Sequence, residues 1–421
     1  MSVRRGRAAL LAALGIDMAG TGLFAPISLL YFQAVTDLSL PTIGLLISVA
    51  TLASLPVPVV VGHLVDRYGP RGIVIAAQVL QGIGFAAYVG AHGPVSVLVP
   101  SLIVAVGQRM FWCSVFTLVT ELAPPGRAGQ DRTFALFSMV QSAGVGAGSL
   151  VAGLALSGGP HAYRPVVVIN AASYLVSAAT LLVVPRVARA ARADRTPGGY
   201  RDLLRDRPYL GFIAINGIFN LVAVMVGTAV PVYVVEGLPA PAWLAGPLLA
   251  FNTILLATGQ TLAVRLVRRL PRTRALALAG SFMVVWSLAM ALAVKIPGAL
   301  LIGYLPLAMA FFAAGELIMA PVANALASAA APEHLRGRYL AVMQYGFAVA
   351  LIVAPTFFTV LYTHGRALPF TVLAAITAAA SVLIARSSLG AGRSEHPLPA
   401  EGQSDGSDDP RTGEKEWTSA D

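Results

Sequence analysis

Long apolar runs, separated by short polar segments, make up most of this chain of 421 residues. An α-helix needs about twenty residues to cross a hydrocarbon core about 30 Å thick, and each run has roughly that length. Twelve runs fall at residues 8–32, 41–63, 72–91, 95–121, 133–157, 165–185, 208–234, 242–264, 273–294, 298–329, 338–362 and 367–386. The pattern predicts an all-α polytopic membrane protein with twelve transmembrane helices.

Two polar stretches divide the chain. Residues 186–207 are charged and contain Pro and Gly, as expected of a cytoplasmic linker between two six-helix halves at 1–185 and 208–386. Residues 387–421 are polar and mostly acidic, which predicts a disordered cytoplasmic tail. The segments before the second and eighth runs, and after the fourth and tenth, resemble each other. These echoes predict two pseudo-symmetric halves.

Composition and charge support a membrane location. Hydrophobic residues make up 57% of the chain and charged residues only 11%, which excludes a water-soluble domain of this size. Arginines concentrate in alternate loops, and this bias predicts that both termini face the cytoplasm across the plasma or inner membrane. The same bias accounts for the net charge of +10 without a nucleic-acid partner. We therefore expect the lipid bilayer, and no nucleic acid, among the partners.

Enzymatic and metal chemistry find no support in the sequence. Cys113 is the single cysteine, and the six histidines lack metal-ligand spacing. Neither lysine, Lys295 nor Lys415, lies in a phosphate-binding loop, so this chain has no such site for ATP. We expect no enzyme activity, no cofactor and no bound metal. Any active transport would be secondary.

A short turn between the second and third runs carries the most specific motif. The segment from Gly62 to Gly72 reads GHLVDRYGPRG, and it includes Asp66, Arg67, Gly69 and Arg71. It resembles the signature loop of the major facilitator superfamily, Gly-x-Leu-Ala-Asp-Arg-x-Gly-Arg-Arg. That resemblance implies twelve helices in two halves around a central substrate path, the major facilitator fold.

The resemblance also implies a gate. Asp66 would meet the positive N-terminal end of the eleventh helix near Arg338, and Arg71 or Arg67 would pair with Glu121. These contacts would close the cytoplasmic side when the transporter faces outward. In the alternative interpretation, the loop merely orients helices during membrane insertion.

Three ionisable residues lie deep within the predicted helices: Asp17, Arg109 and Glu316. Each costs on the order of 2.5–3.5 kcal/mol to insert at a helix centre, so each needs a partner or a water-filled cavity. The resemblance implies that helices one, four and ten line the central cavity, which would place all three residues there. Either Arg109 forms a structural ion pair with one of the acids, or at least one acid exchanges a proton during transport.

The predicted cavity walls are mostly apolar and aromatic. Trp112 and Phe116 share a helix face with Arg109. Asn216 and Asn220 share a face of the seventh helix, where they would bind either a ligand or a neighbouring helix. Gln141 on the fifth helix is a weaker candidate of the same kind. Such walls suit a small amphipathic substrate.

Two helices are similar to the twelve-span drug:proton antiporters. The first contains Gly20-Thr21-Gly22 before a proline, and the fifth contains Gly144 and Gly148, although Ser149 stands where that family has proline. We therefore expect proton-coupled efflux of small amphipathic compounds by a monomer. The alternatives are an importer of a metabolite such as a sugar or amino acid, and a membrane sensor that does not transport.

Overall fold

The computed structural model describes residues 3–124, 127–185, 205–267, 270–330 and 336–387. Throughout these residues the regular structure is helical, with no strand. The helices are α1 (Val3–Phe24), α2 (Ser28–Val35), α3 (Leu40–Ala53), α4 (Val57–Tyr68), α5 (Pro70–Tyr88), α6 (Pro94–Leu122), α7 (Arg127–Ser157), α8 (Tyr163–Leu181), α9 (Arg207–Val232), α10 (Ala245–Val267), α11 (Arg272–Leu292), α12 (Gly298–Ala330), α13 (Arg336–His364) and α14 (Leu368–Arg386).

The number of membrane-spanning helices agrees with the prediction. Among the described residues, eleven helices are long and apolar enough to cross a bilayer, and counting the bent pair α3 and α4 as one span gives twelve. The chain is therefore a multi-pass membrane protein. Because twelve crossings return the chain to its starting side, Val3 and Arg386 lie at the same end of the bundle. We call this the terminal end, and the opposite one the far end.

Two spans contain breaks that the apolar runs did not predict. The first span passes from α1 to α2 through a 3₁₀ turn at Ala25–Ile27 that includes Pro26. The second span bends by 42° between α3 and α4, where Pro56 precedes the first residue of α4. Proline lacks the N–H group that continues a helix, which explains why the chain breaks at these residues.

Glycines bring helices together within the N-terminal half. α1 packs against α7 and α8, and α5 packs against α6 and α8. A side chain at Gly148 of α7 would overlap the carbonyl oxygen of Ala19, and one at Gly22 of α1 would overlap that of Val145. Small residues at these positions allow the two backbones to touch, as is common in membrane helix pairs.

The two halves contact each other toward the far end. α3 packs against α13, and α7 packs against α10. Thr356 of α13 donates a hydrogen bond of 2.8 Å to Ser48 of α3. A side chain at Gly246 of α10 would overlap the carbonyl oxygen of Ser149 on α7, so those helices also touch directly. Ser149 is thus part of the contact between the halves.

The predicted linker and tail fall mostly outside the described residues. Residues 186–204 and 388–421 are not described, and α9 begins at Arg207, one residue before the predicted start of the second half. The division into 1–185, 186–207, 208–386 and 387–421 remains a prediction.

Candidate functional site

Arg109 lies on the face of α6 that is turned toward the opposite half. It is near the middle of α6, and its guanidinium is close enough to Tyr345 of α13 to interact electrostatically. Its Nη2 atom is buried and has no hydrogen-bond partner among the described residues. A buried donor without a partner is costly, so this atom marks a place where a polar ligand group would be stabilised.

Aromatic side chains continue this face toward the terminal end. Trp112 and Phe116 follow Arg109 on α6, with ring centroids 5.8 Å apart. Phe116 also contacts Phe137 of α7 at 5.6 Å, yet 44% of its surface is exposed. Tyr345 across the gap is 47% exposed. We refer to Arg109, Trp112, Phe116 and Tyr345 as the inter-half site.

Asp17 lies elsewhere. Only 1% of its surface is exposed, and its Oδ2 accepts a 2.7 Å hydrogen bond from Gln78 Nε2 of α5. Thr21 contacts its Oδ1 at 3.5 Å and also hydrogen-bonds Tyr174 of α8. The expectation that Asp17 faces the central cavity is therefore corrected. Its polar partners on α5 and α8 hold it inside the N-terminal half.

Glu316 has no hydrogen bond or ion pair with any described residue, and its side chain is partly buried. Its neighbours hold α12 between two other helices. Gly315 lies close to Ala279 of α11, and Leu317 contacts Gly259 of α10. The ion pair expected between Arg109 and either Asp17 or Glu316 is absent from the described residues, which leaves both the base and this acid without an ionic partner.

The predicted amides occupy different surroundings. Asn216 of α9 is 3% exposed, and its Oδ1 has no partner in the described part of the chain. Asn220, one turn farther, is partly buried. Next to Asn216, Gly217 packs against Gly346 of α13. Gln141 of α7 is partly buried and makes no hydrogen bond to a described residue. Hydrogen-bonding capacity therefore remains available on both halves.

The signature loop is a tight turn between α4 and α5. Gly69 ends α4 with φ of +83°, a conformation that favours glycine. A side chain at Gly62 would meet no atom within 4 Å, so close packing does not explain that glycine. The guanidinium of Arg67 lies 5.3 Å from the ring centre of Tyr68.

In this structure Arg71 contacts the end of α8. Arg71 donates to the carbonyl oxygens of Leu181 and Leu182, at 3.3 and 2.7 Å, rather than to Glu121. Helix C-termini carry partial negative charge, so an arginine is favourable at the end of α8. The side chains of Asp66 and Arg338 lie outside the described part of the structure. The predicted contact between them and the Arg67 alternative for Glu121 remain predictions.

The sequence alone did not point to Tyr345, Gln78, Tyr174 or Asn170. Gln78 and Asn170 are polar residues inside apolar runs, so their composition was a usable signal. Tyr345 offered none, because a tyrosine in a membrane helix is commonly packing or an interface anchor.

A multi-pass helical bundle in two halves, with an inter-half site near its middle, is the architecture expected of a membrane transporter. The family model of the Major Facilitator Superfamily matches residues 10–355. The chain belongs to the major facilitator superfamily, and it is therefore a transporter rather than an enzyme.

Relatives and solved structures agree with this family. The chain is 26% identical over 295 residues to the multidrug resistance protein MdtH of Cronobacter sakazakii, covering 68% of this chain and 69% of that protein. It also resembles the solved structure of the nucleoside transporter NupG (D323A mutant), with a TM-score of 0.74 and 13% identity. The match covers 91% of this chain and 98% of that one. A solved D-xylose-proton symporter gives a TM-score of 0.68 and 17% identity, and the match covers 90% of this chain and 97% of that one. These structures share the fold.

Proposed function

We propose that the protein is a secondary active transporter that exports small amphipathic compounds from the cytoplasm in exchange for protons. Membership in the superfamily and the similarity to MdtH proteins support a role in drug efflux. We place the protein in the cell membrane, the inner membrane of a bacterium, as a monomer with both termini in the cytoplasm. The arginine distribution supports that orientation.

The observation that carries the proposal is the inter-half site. It combines a cationic group that has an unpartnered N–H donor with aromatic rings contributed by both halves. Aromatic rings bind flat apolar surfaces, and an arginine binds carboxylates or other acceptors. The site therefore suits an aromatic compound with one polar, acceptor-bearing end. Asn216, Asn220 and Gln141 are secondary candidates for hydrogen bonds to it.

Glu316 is the proposed proton carrier. Unlike Asp17, it is partly exposed and has no hydrogen-bond partner among the described residues. A carboxylate in a mostly apolar bundle favours its protonated form and releases the proton when water reaches it. Asp17 is not the proposed proton carrier, because hydrogen bonds to Gln78 and Thr21 hold it inside the N-terminal half.

The proposed cycle is alternating access. The far ends of the halves are in contact, and the exposed rings of Phe116 and Tyr345 lie toward the terminal end. With that end in the cytoplasm, this is an inward-facing arrangement. The signature loop, Glu121 and Arg338 would close the terminal end in the opposite state, and protonation or substrate would shift the balance between the states.

Reconstituted vesicles with a trapped pH dye provide the test. An imposed proton gradient should collapse faster when an aromatic compound with an acceptor-bearing end, such as naphthoate, is present, and faster than in protein-free vesicles given the same compound. Glu316→Gln should abolish this substrate-dependent flux because the amide cannot carry the proton. The matched control is Glu236→Gln, since Glu236 is an exposed acid at the far end of the same half.

Different outcomes would contradict different parts of the proposal. Flux driven by a sugar such as D-xylose, and not by the aromatic compounds, would favour the importer alternative. Wild-type vesicles without flux for any substrate would support the sensor. Equal flux in Glu316→Gln and wild type would remove Glu316 from coupling while leaving export in place.

A further inference from the structure

A group of buried polar side chains lies between α1, α5 and α8, inside the N-terminal half. Asp17 is at its centre, bonded to Gln78 and Thr21. The hydroxyl of Tyr174 lies 3.0 Å from Thr21 Oγ1 and within hydrogen-bond reach of the Asp17 carboxylate. Asn170 lies one turn from Tyr174 on the same face of α8. We refer to Asp17, Thr21, Gln78, Asn170 and Tyr174 as the buried polar cluster.

Asn170 is held against α1 beside this carboxylate. A Cβ at Gly20 would lie 2.6 Å from Asn170 Oδ1 and still closer to Ser173 Oγ, so the glycine makes room for both side chains. Gly20 immediately precedes Thr21 and lies one helical turn from Asp17. The amide oxygen therefore lies against α1 at Gly20, within about one helical turn of Asp17.

The cluster contains buried polar atoms that no described residue satisfies. Gln78 Oε1 and both amide atoms of Asn170 are buried and have no partner among the described residues. Gln78 is 1% exposed and Asn170 is fully buried. Buried polar groups are normally hydrogen-bonded, so unpartnered oxygens on two side chains beside one carboxylate need an explanation.

The cluster also lacks a counter-ion. The side chains that contact Asp17 are neutral, and no described Arg, Lys or His pairs with it. A buried carboxylate must be neutralised by a proton or by a cation. A proton on Asp17 would cancel the charge and supply one O–H donor, which can serve only one of the two amide oxygens. A cation would be coordinated by these oxygens and the carboxylate together.

We propose that the buried polar cluster binds a Na⁺ ion. Carboxylate, amide and hydroxyl oxygens are the ligands that hard cations prefer, and Asp17, Thr21, Gln78 and Asn170 supply them from three helices. The tight packing also favours the smaller of the abundant alkali ions, because Phe85 stacks on Tyr174 at 5.1 Å and Gly20 lies against Asn170. The site is separate from the inter-half site, on helices that pack together within one half.

Sodium binding to the cluster would tie α1, α5 and α8 into one rigid unit. Any effect of Na⁺ on export rests on the proposed function. Binding itself does not, because it is measurable in purified protein without transport. The sodium site would therefore stand if the export proposal failed. The export proposal would likewise stand if no sodium bound.

The test is binding of radioactive ²²Na⁺ to the purified full-length protein, together with its melting temperature in NaCl, KCl or choline chloride at equal ionic strength. We expect saturable ²²Na⁺ binding that excess KCl does not displace, and a higher melting temperature in NaCl. Asn170→Leu and Asp17→Asn should weaken Na⁺ binding by at least about tenfold. The matched control is Asn252→Leu, which removes another buried amide with an unpartnered Oδ1, on α10.

The proposal is overturned if wild type shows no saturable ²²Na⁺ binding, or if Asn170→Leu binds as tightly as Asn252→Leu. Asn170→Ser retains an oxygen with a smaller side chain. If Asn170→Leu does not fold, Asn170→Ser should bind Na⁺ more weakly than wild type while still binding it. Unchanged affinity in Asn170→Ser would then exclude Asn170 as a ligand.

Discussion

At the residue scale, the signature loop joins a structural contact to a proposed gate. Arg71 bonds the carbonyls at the end of α8, so part of the motif stabilises the terminal end of the N-terminal half. Asp66 is the acid of the motif and, by resemblance, its link to the other half. We therefore propose separate roles for the two residues.

Asp66→Asn should abolish transport while the protein remains folded in the membrane, because the amide lacks the charge that the positive end of α13 attracts. The measurement is substrate-dependent proton flux in vesicles, normalised to the amount of inserted protein. Asp37→Asn is the matched control, since Asp37 is an exposed acid between α2 and α3 at the far end. Normal flux in Asp66→Asn would refute the gate.

The contrast between Asp17 and Arg109 shows how far sequence reasoning reaches for single residues. The apolar runs predicted that both lie deep in a bundle, because twenty-residue spans fix depth within a bilayer. The runs could not predict which neighbouring helix the Asp17 side chain faces. α1 is packed on several sides, and Asp17 faces the helices that offer hydrogen-bond donors. Those donors are Gln78 and Tyr174, which belong to apolar runs far from Asp17 in the sequence.

At the element scale, glycine contacts set the distance between α1 and α7. Gly148→Val should lower the stability of the protein by about 1–3 kcal/mol, since the new side chain overlaps the Ala19 carbonyl and forces the helices apart. The measurement is the melting temperature in detergent or lipid nanodiscs.

Gly227→Ala provides the control for that experiment. Gly227 is inside α9, and a side chain there would meet nothing within 4 Å. Alanine is favoured over glycine in helices, so this variant should be neutral or more stable by up to about 1 kcal/mol. Equal losses in the two variants would show that helix propensity, rather than the α1–α7 contact, governs stability.

Helix boundaries were predictable and helix breaks were not. The predicted runs at 95–121 and 298–329 correspond to α6 (Pro94–Leu122) and α12 (Gly298–Ala330), because uninterrupted apolar length is a strong signal. A proline in the sequence does not by itself show whether the helix breaks there. Pro56 lies at the bend between α3 and α4, yet Pro100 remains inside α6 and Pro355 inside α13. Whether a proline breaks a helix depends on what neighbouring helices supply to the freed backbone groups.

At the scale of the whole molecule, alternating access requires the halves to open at one end while they close at the other. The far end is held by Ser48, Thr356 and the contact of Ser149 with Gly246. The inter-half site lies between these contacts and the terminal end. Export requires this arrangement to alternate with its opposite.

Pairs of spin labels in lipid nanodiscs test this directly by electron–electron distance measurement. The single cysteine is first removed as Cys113→Ala. One pair, Thr120→Cys with Gln344→Cys, uses exposed positions on α6 and α13 in their terminal halves. The other pair, His161→Cys with His364→Cys, uses exposed far-end positions in opposite halves.

Alternating access predicts opposite changes in the two pairs when pH or naphthoate shifts the equilibrium. The terminal pair should shorten as the far pair lengthens, and Glu316→Gln should weaken the response to pH. Distances in both pairs that stay fixed, or change in the same direction under every condition, would contradict alternating access and with it the assignment of this protein as an exporter.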